Sequence, residues 1–221
     1  MQSIAAYAYK TWSRGLFVIF FVGLAGCALP TPPERPTLYD FGPGRLSQSA
    51  LANPGPATAL RPLVIAEIDA SPALDSSAVL YRLAYADPQQ LKPYALARWS
   101  MTPAQLLRQR LRQELGEQRT LLNPGDSAGA APGSVTPLTL RLELEEFSQL
   151  FESPSLSAGL LRLRASVVQG HATGDKTVAQ RTFIVQRPAP SADAAGGVRS
   201  LTAATDAVIH EIDLWLRALA L

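Results

Sequence analysis

The sequence is poor in the residues that carry most protein chemistry. Its 221 residues hold one cysteine and two histidines. A lone cysteine excludes an intrachain disulfide, and a free thiol would be a liability in an exported chain. His171 falls in a predicted turn and His210 on a predicted helix, with no second His or Cys at ligand spacing. A metal site is therefore not expected. There is no Gly-rich phosphate loop, no Gly-x-Ser-x-Gly elbow and no His-Glu-x-x-His, and Gly42-Pro43-Gly44 is too short to cradle a phosphate. Glu143, Glu145 and Glu146 come nearest to paired carboxylates. Strand alternation, however, sets Glu143 and Glu145 beside Arg141 on a solvated face. No catalytic residue, no cofactor and no enzyme activity are expected. No internal repeat is apparent.

Net charge is almost as scarce. Twenty basic residues oppose eighteen acidic ones, and the surplus of two is Lys10 and Arg14. Both lie in the first 26 residues, which contain no acid, so the remainder is neutral. That balance gives no ground for a nucleic-acid-binding face. Beyond residue 26 there are sixteen arginines and only two lysines, a bias that suits planar, bidentate contacts to carboxylate or phosphate. What the chain does have is apolar residue, 47%, enough to bury a core.

The apolar residues first gather in Gly15–Gly23, directly after Lys10 and Arg14 and before the small residues Ala25 and Gly26. A basic flank, a short apolar run and small residues describe a secretory signal peptide. As a helix the run spans about 14 Å, and about 22 Å if extended to Leu29, against the roughly 30 Å of a bilayer core. Leu24-Ala25-Gly26-Cys27 looks like a lipobox, in which Cys27 would be acylated, palmitate included, and become the new N-terminus. By resemblance to bacterial lipoproteins, Ala28 in place of Asp implies an outer-membrane anchor facing the periplasm.

The expected organisation is thus a signal peptide over 1–26, a lipidated Cys27 with a Pro-rich tether over 27–62, and one domain over 63–221. Eight prolines between residues 28 and 62 favour extended chain, with Thr37–Phe41 as a small strand within it. Within the domain, Leu63–Asp69, Ala78–Leu83 and Pro93–Trp99 read as strands, with Asp87-Pro88 as a turn. Thr102-Pro103-Ala104-Gln105 opens a helix whose apolar stripe is Leu106, Leu107, Leu111 and Leu115, with Arg108, Arg110, Arg112 and Glu114 largely off it. Residues 123–137 form a Gly/Ala/Pro/Ser loop. Leu138–Glu145, Leu161–Val167 and Val178–Gln186 alternate with period two and form an antiparallel meander. Val198, Leu201, Thr205, Val208, Ile212, Trp215 and Leu219 give the apolar face of a last helix. The fold class expected is α/β (α+β-like), a mixed or mainly antiparallel sheet with two main helices on one face.

Tyr81, Arg82, Tyr94, Arg98 and Trp99 combine residue types enriched at interfaces, on the hairpin before the first helix. They are candidates for docking a partner or a second copy. The alternative is that Tyr81, Trp99 and Trp215 close the core while Arg82 and Arg98 pair with nearby acids. Phe147, Phe151 and Leu156 are open to the same two readings, an apolar rim or core.

Several fragments stand in a telling order: Tyr39-Asp40-Phe41 with Gly42, Val79–Leu83, Tyr94–Trp99 with Pro103, Leu142–Phe151, Ala179–Phe183, Ala189-Pro190, Asp193–Val198 and Trp215-Leu216. Together they resemble the ABC-type transport auxiliary lipoprotein family, the small lipoproteins that accompany mammalian-cell-entry (MCE) domain lipid transporters. One departure is Phe41, where the family more often has leucine. The resemblance implies a fold like that of TolB N-terminal-like domains, without a catalytic centre. It also implies partners, namely an MCE-domain protein with its permease and ATPase, together with a role in moving lipids between the membranes. A homo-oligomer is compatible with it. The other class of function considered is a structural or assembly lipoprotein of the outer membrane unconnected with lipid transport.

Overall fold

The computed structural model describes residues 34–44, 60–126, 137–171 and 174–219. Leu24, Ala25, Gly26 and Cys27 lie outside them, as do 127–136 of the expected loop. Pro36–Leu221 is one unit. Its elements, in chain order, are β1 (Thr37–Tyr39), β2 (Leu60–Ala70), β3 (Ala78–Leu83), β4 (Asp87–Trp99), α1 (Pro103–Gly116) and β5 (Arg119–Leu122). They continue with β6 (Leu138–Phe151), β7 (Ser157–His171), β8 (Gly174–Pro188) and α2 (Ala194–Ala218).

Alternation in β6 organises the sheet. Leu138, Leu140, Leu142 and Leu144 are buried, while Arg141 and Glu143 between them are exposed. One edge of β6 carries β7 antiparallel along its whole length, and β8 follows antiparallel outside β7. The other edge is shared. Parallel β2 covers Leu138–Leu144, with β5 outside it, and parallel β3 covers Gln149–Phe151, with antiparallel β4 and parallel β1 outside. A register shift between Leu144 and Glu146 separates the halves. It moves the buried phase from even to odd positions, so Phe147, Gln149 and Phe151 continue the core. The result is a mixed eight-stranded sheet, as the sequence led us to expect of the fold class.

Both helices cover one face and share its apolar core. Thr102 caps α1 with a complete capping box: its hydroxyl accepts from the Gln105 N–H, and the Gln105 side chain accepts from the Thr102 N–H. Asp193 caps α2 by accepting from the Gly196 N–H at 2.7 Å. Residue 159 must be glycine because a Cβ there would come within 2.6 Å of the Leu201 backbone nitrogen, where α2 crosses β7.

Three differences from the sequence reading stand out. The domain starts upstream of Leu63: β1 pairs with β4, Phe41 enters the core, and β2 begins at Leu60. The β3–β4 turn is Ala84–Ala86, closed by the Ala86 N–H donating to the Leu83 carbonyl at 2.9 Å, and Asp87-Pro88 instead opens β4. Pro88 is tolerated there because a strand's first residues can forgo a ladder donor. Finally, the four-residue β5 had no alternation long enough to announce it.

Candidate functional site

Tyr81, Arg82, Tyr94, Arg98 and Trp99 do come together, on β3 and β4 beside the second half of β6. Alternation then divides them. Tyr81 stands opposite Gln149, its ring 4.6 Å from that of Tyr94 and 6.0 Å from that of Phe151. The Tyr94 hydroxyl donates to Gln149 Oε1 at 2.8 Å, and Gln149 Nε2 donates to Ser157 Oγ at 2.8 Å. Burial pushes the Tyr94 phenol well above its ordinary value, with the phenol of Tyr81 and the carboxylate of Asp193 adding to the effect. It therefore remains a neutral hydrogen-bond donor at physiological pH. Gly197 makes room for this network, since a Cβ there would lie 2.1 Å from Gln149 Oε1.

The arginines are tied down locally. Arg82 grips Glu146 bidentately, with Nη2 to Oε2 at 3.0 Å and Nε to Oε1 at 3.3 Å, and also donates to the Gln89 carbonyl at 3.1 Å. Arg98 Nη1 donates to the carbonyls of Ala97, at 2.8 Å, and Tyr94. Trp99 corrects the docking expectation outright. It is 1% exposed, with Phe41 edge-on at 5.5 Å and Phe147 at 5.7 Å. Phe41 covers it from a segment assigned to the tether, and a side chain so enclosed is core. Phe147 and Phe151 are core too, whereas Leu156 is exposed.

Sequence reasoning missed an ionic cluster where α1 meets α2. Arg110, expected off the apolar stripe, is 6% exposed: its Nε donates to Asp206 Oδ1 at 2.9 Å and lies 3.6 Å from Glu114. The fully buried Arg119 side chain approaches Asp213 Oδ1 at 3.6 Å, and Asp213 Oδ2 accepts from Arg217 Nε at 2.8 Å. Burial draws the Arg119 guanidinium below its ordinary value, and the Asp213 charge opposes that pull. A cleft of about 160 Å³ opens beside Glu114, Asp206, His210 and Asp213. Asp206, His210 and Asp213 recur at spacings of four and three, a polar stripe along α2 that was legible in the sequence. On the other sheet face the carboxylates Glu143 and Glu145 both meet Arg164, at 3.5 and 2.5 Å.

Fold and site thus define a single mixed α/β domain whose polar groups on β3, β4 and β6 mostly hold one another. Among the described residues, no group of three His, Cys, Asp or Glu is placed to hold a metal. The chain belongs to the ABC-type transport auxiliary lipoprotein component family, whose model matches residues 45–213. The fold is shared with the crystal structure of protein XCC0632 from Xanthomonas campestris, of family DUF330, at a TM-score of 0.59 and 22% identity, covering 82% of this chain and 92% of that one. A second crystal structure, of an uncharacterised protein, matches at a TM-score of 0.55 and 14% identity over 81% and 97% of the two chains. A search of the curated proteins finds no match. Among the described residues, no helix is long and apolar enough to cross a membrane.

Proposed function

We propose that this auxiliary lipoprotein serves an MCE-domain ABC transport system that moves lipids between the inner and outer membranes. It does so from the periplasmic face of the outer membrane, held by acyl chains on Cys27. The observation that carries the reading is the family match over residues 45–213, in a chain that opens with a basic flank, an apolar run and Leu24-Ala25-Gly26-Cys27. Its action is binding rather than catalysis. Tyr81, Arg82, Tyr94 and Arg98 are all partly exposed, and the β3–β4 hairpin that holds them gives a firm platform for a protein partner.

Brief crosslinking in mildly solubilised membranes, followed by capture of the tagged chain and mass spectrometry, tests this reading. An MCE-domain protein with its permease or ATPase is the expected catch, reduced in a Cys27→Ala control. A β-barrel or wall component in its place, without MCE protein, would assign the chain to envelope assembly. Normal capture by an Arg82→Ala, Arg98→Ala double variant would remove the hairpin as the docking point. Turnover of an ester or phosphoester would overturn the binding-only role.

A further inference from the structure

We propose that the end of the sheet formed by the β3–β4 turn and the β6–β7 turn rests on the surface of the anchoring membrane through Tyr85 and Leu156. This rests on the acyl anchor at Cys27. The two turns belong to one end of the sheet, because Leu83 pairs with Phe151 and the Ala84 N–H donates to the Phe151 carbonyl at 2.9 Å. Their tips leave Tyr85 49% and Leu156 56% exposed. A single exposed apolar side chain is ordinary, but these two stand on adjacent tips with further apolar surface behind them. The partly exposed Leu150 on β6 and the exposed Pro188 on β8 flank the buried Ala158 on β7. Beside them a cleft of about 320 Å³ is lined by Leu156, Ala158 and Pro188 together with the polar Glu152, Ser157 and Gln186. A tyrosine with aliphatic neighbours suits the headgroup boundary of a bilayer, where the ring buries its body and keeps its hydroxyl wet.

The direction of the chain points to the same end. β1 runs parallel to β4, with Thr37 opposite Ala97 and Tyr39 opposite Trp99. Since β4 runs away from the β3–β4 turn and β1 is parallel to it, the start of β1 at Thr37 faces the side of that turn. Arg98 stands opposite Ala78, so the distance to be covered is about that of β3 itself, roughly 17 Å at 3.3 Å per residue. Ten peptide steps from Cys27 to Thr37 can span up to about 35 Å. Cys27 is therefore within chain reach of the two tips. The β7–β8 turn sits at the other end of the long strands, about 43 Å away along β6.

The test uses the full-length acylated chain in vesicles of phosphatidylethanolamine and phosphatidylglycerol. Tyr85→Cys, Leu156→Cys and, near the β7–β8 turn, the exposed Thr177→Cys each carry a nitrobenzoxadiazole dye. These are surface positions, and circular dichroism confirms the fold of each variant. Acylation blocks the sulfur of Cys27, so the parent chain takes up no dye. Dye at 85 and 156 should be blue-shifted and quenched several-fold more by spin-labelled lipid than dye at 177. Equal quenching at all three positions, or none at 85 and 156, overturns the proposal. Self-quenching between copies that ignores the lipid quencher also overturns it, and gives this end to a second copy. Dye uptake by the parent at Cys27 shows instead that the anchor reading has failed, and the proposal falls with it.

Discussion

On the helix-covered face, Leu140, Leu144, Leu161, Leu163 and Ala165 are buried to within 1%. One residue away along the same strands, Arg141, Glu143 and Arg164 stand in solvent and pair across them. The arginines sharpen the contrast. Arg119 lies wholly under the helices and depends on Asp213, whereas Arg164 keeps 45% of its side chain exposed and shares two glutamates. A charge taken out of water needs its partner, because nothing else compensates its lost hydration. A charge left in water needs little from a neighbour. Position on the pleat, more than residue type, therefore sets what each side chain contributes.

The largest effect should come from the covered face. Trp99→Ala empties a site filled against Phe41 and Phe147 and should cost about 3–5 kcal/mol in denaturant unfolding. A loss below about 1 kcal/mol, within the range of ordinary surface changes, would mean that Trp99 is not core and would revive it as a docking residue. Asp213→Ala comes next, at about 3 kcal/mol, since it strands the buried Arg119. Arg119→Met should cost less, because it removes the charge and leaves Asp213 with Arg217. Reversal of that order would show that Arg119 does not depend on Asp213.

Much of this was legible in the sequence where the signal was local. The period-two runs from Leu138 to Gln186 gave the meander, and Thr102-Pro103 with Gln105 gave the start of α1. What escaped was non-local. The shift between Leu144 and Glu146 changes which side of β6 is buried, and nothing within Leu-Glu-Glu-Phe declares it. Thr37–Phe41 was legible as a small strand but only as part of the tether, because it takes β4, sixty residues on, to join it to the domain and draw Phe41 onto Trp99. Arg110 seemed to face solvent because its partner Asp206 lies on the other helix, 96 residues away. The same distance hid the α1–α2 cluster, although its polar stripe on α2 was in plain view.

A cap should fall between the two faces in size. Asp193→Ala removes the acceptor of the Gly196 N–H at the start of α2 and should cost about 1 kcal/mol. The N–H of Gly196, and after it the hydroxyl of Ser191, hold the Asp193 carboxyl below its ordinary 3.8. A carboxyl lowered in the folded state stabilises above its unfolded value and loses that contribution as pH falls through the folded one. The stability difference between the parent and Asp193→Asn should therefore be present at neutral pH and vanish in acid. A difference that grew as pH fell would contradict the cap.

The smallest effect belongs to the open face. Arg164→Ala breaks two ion pairs at once, yet it should change stability by less than about 1 kcal/mol and respond to salt. Two pairs on one guanidinium do not add up as two separate contacts, because a single side chain is immobilised for both. A loss comparable to that of Asp213→Ala would mean that the open face is shielded in the assembled protein, since only exclusion of water makes such a pair expensive to break. Comparing the variant in detergent and in native membranes would then locate the cover, and the covering molecule would lie over β6 and β7.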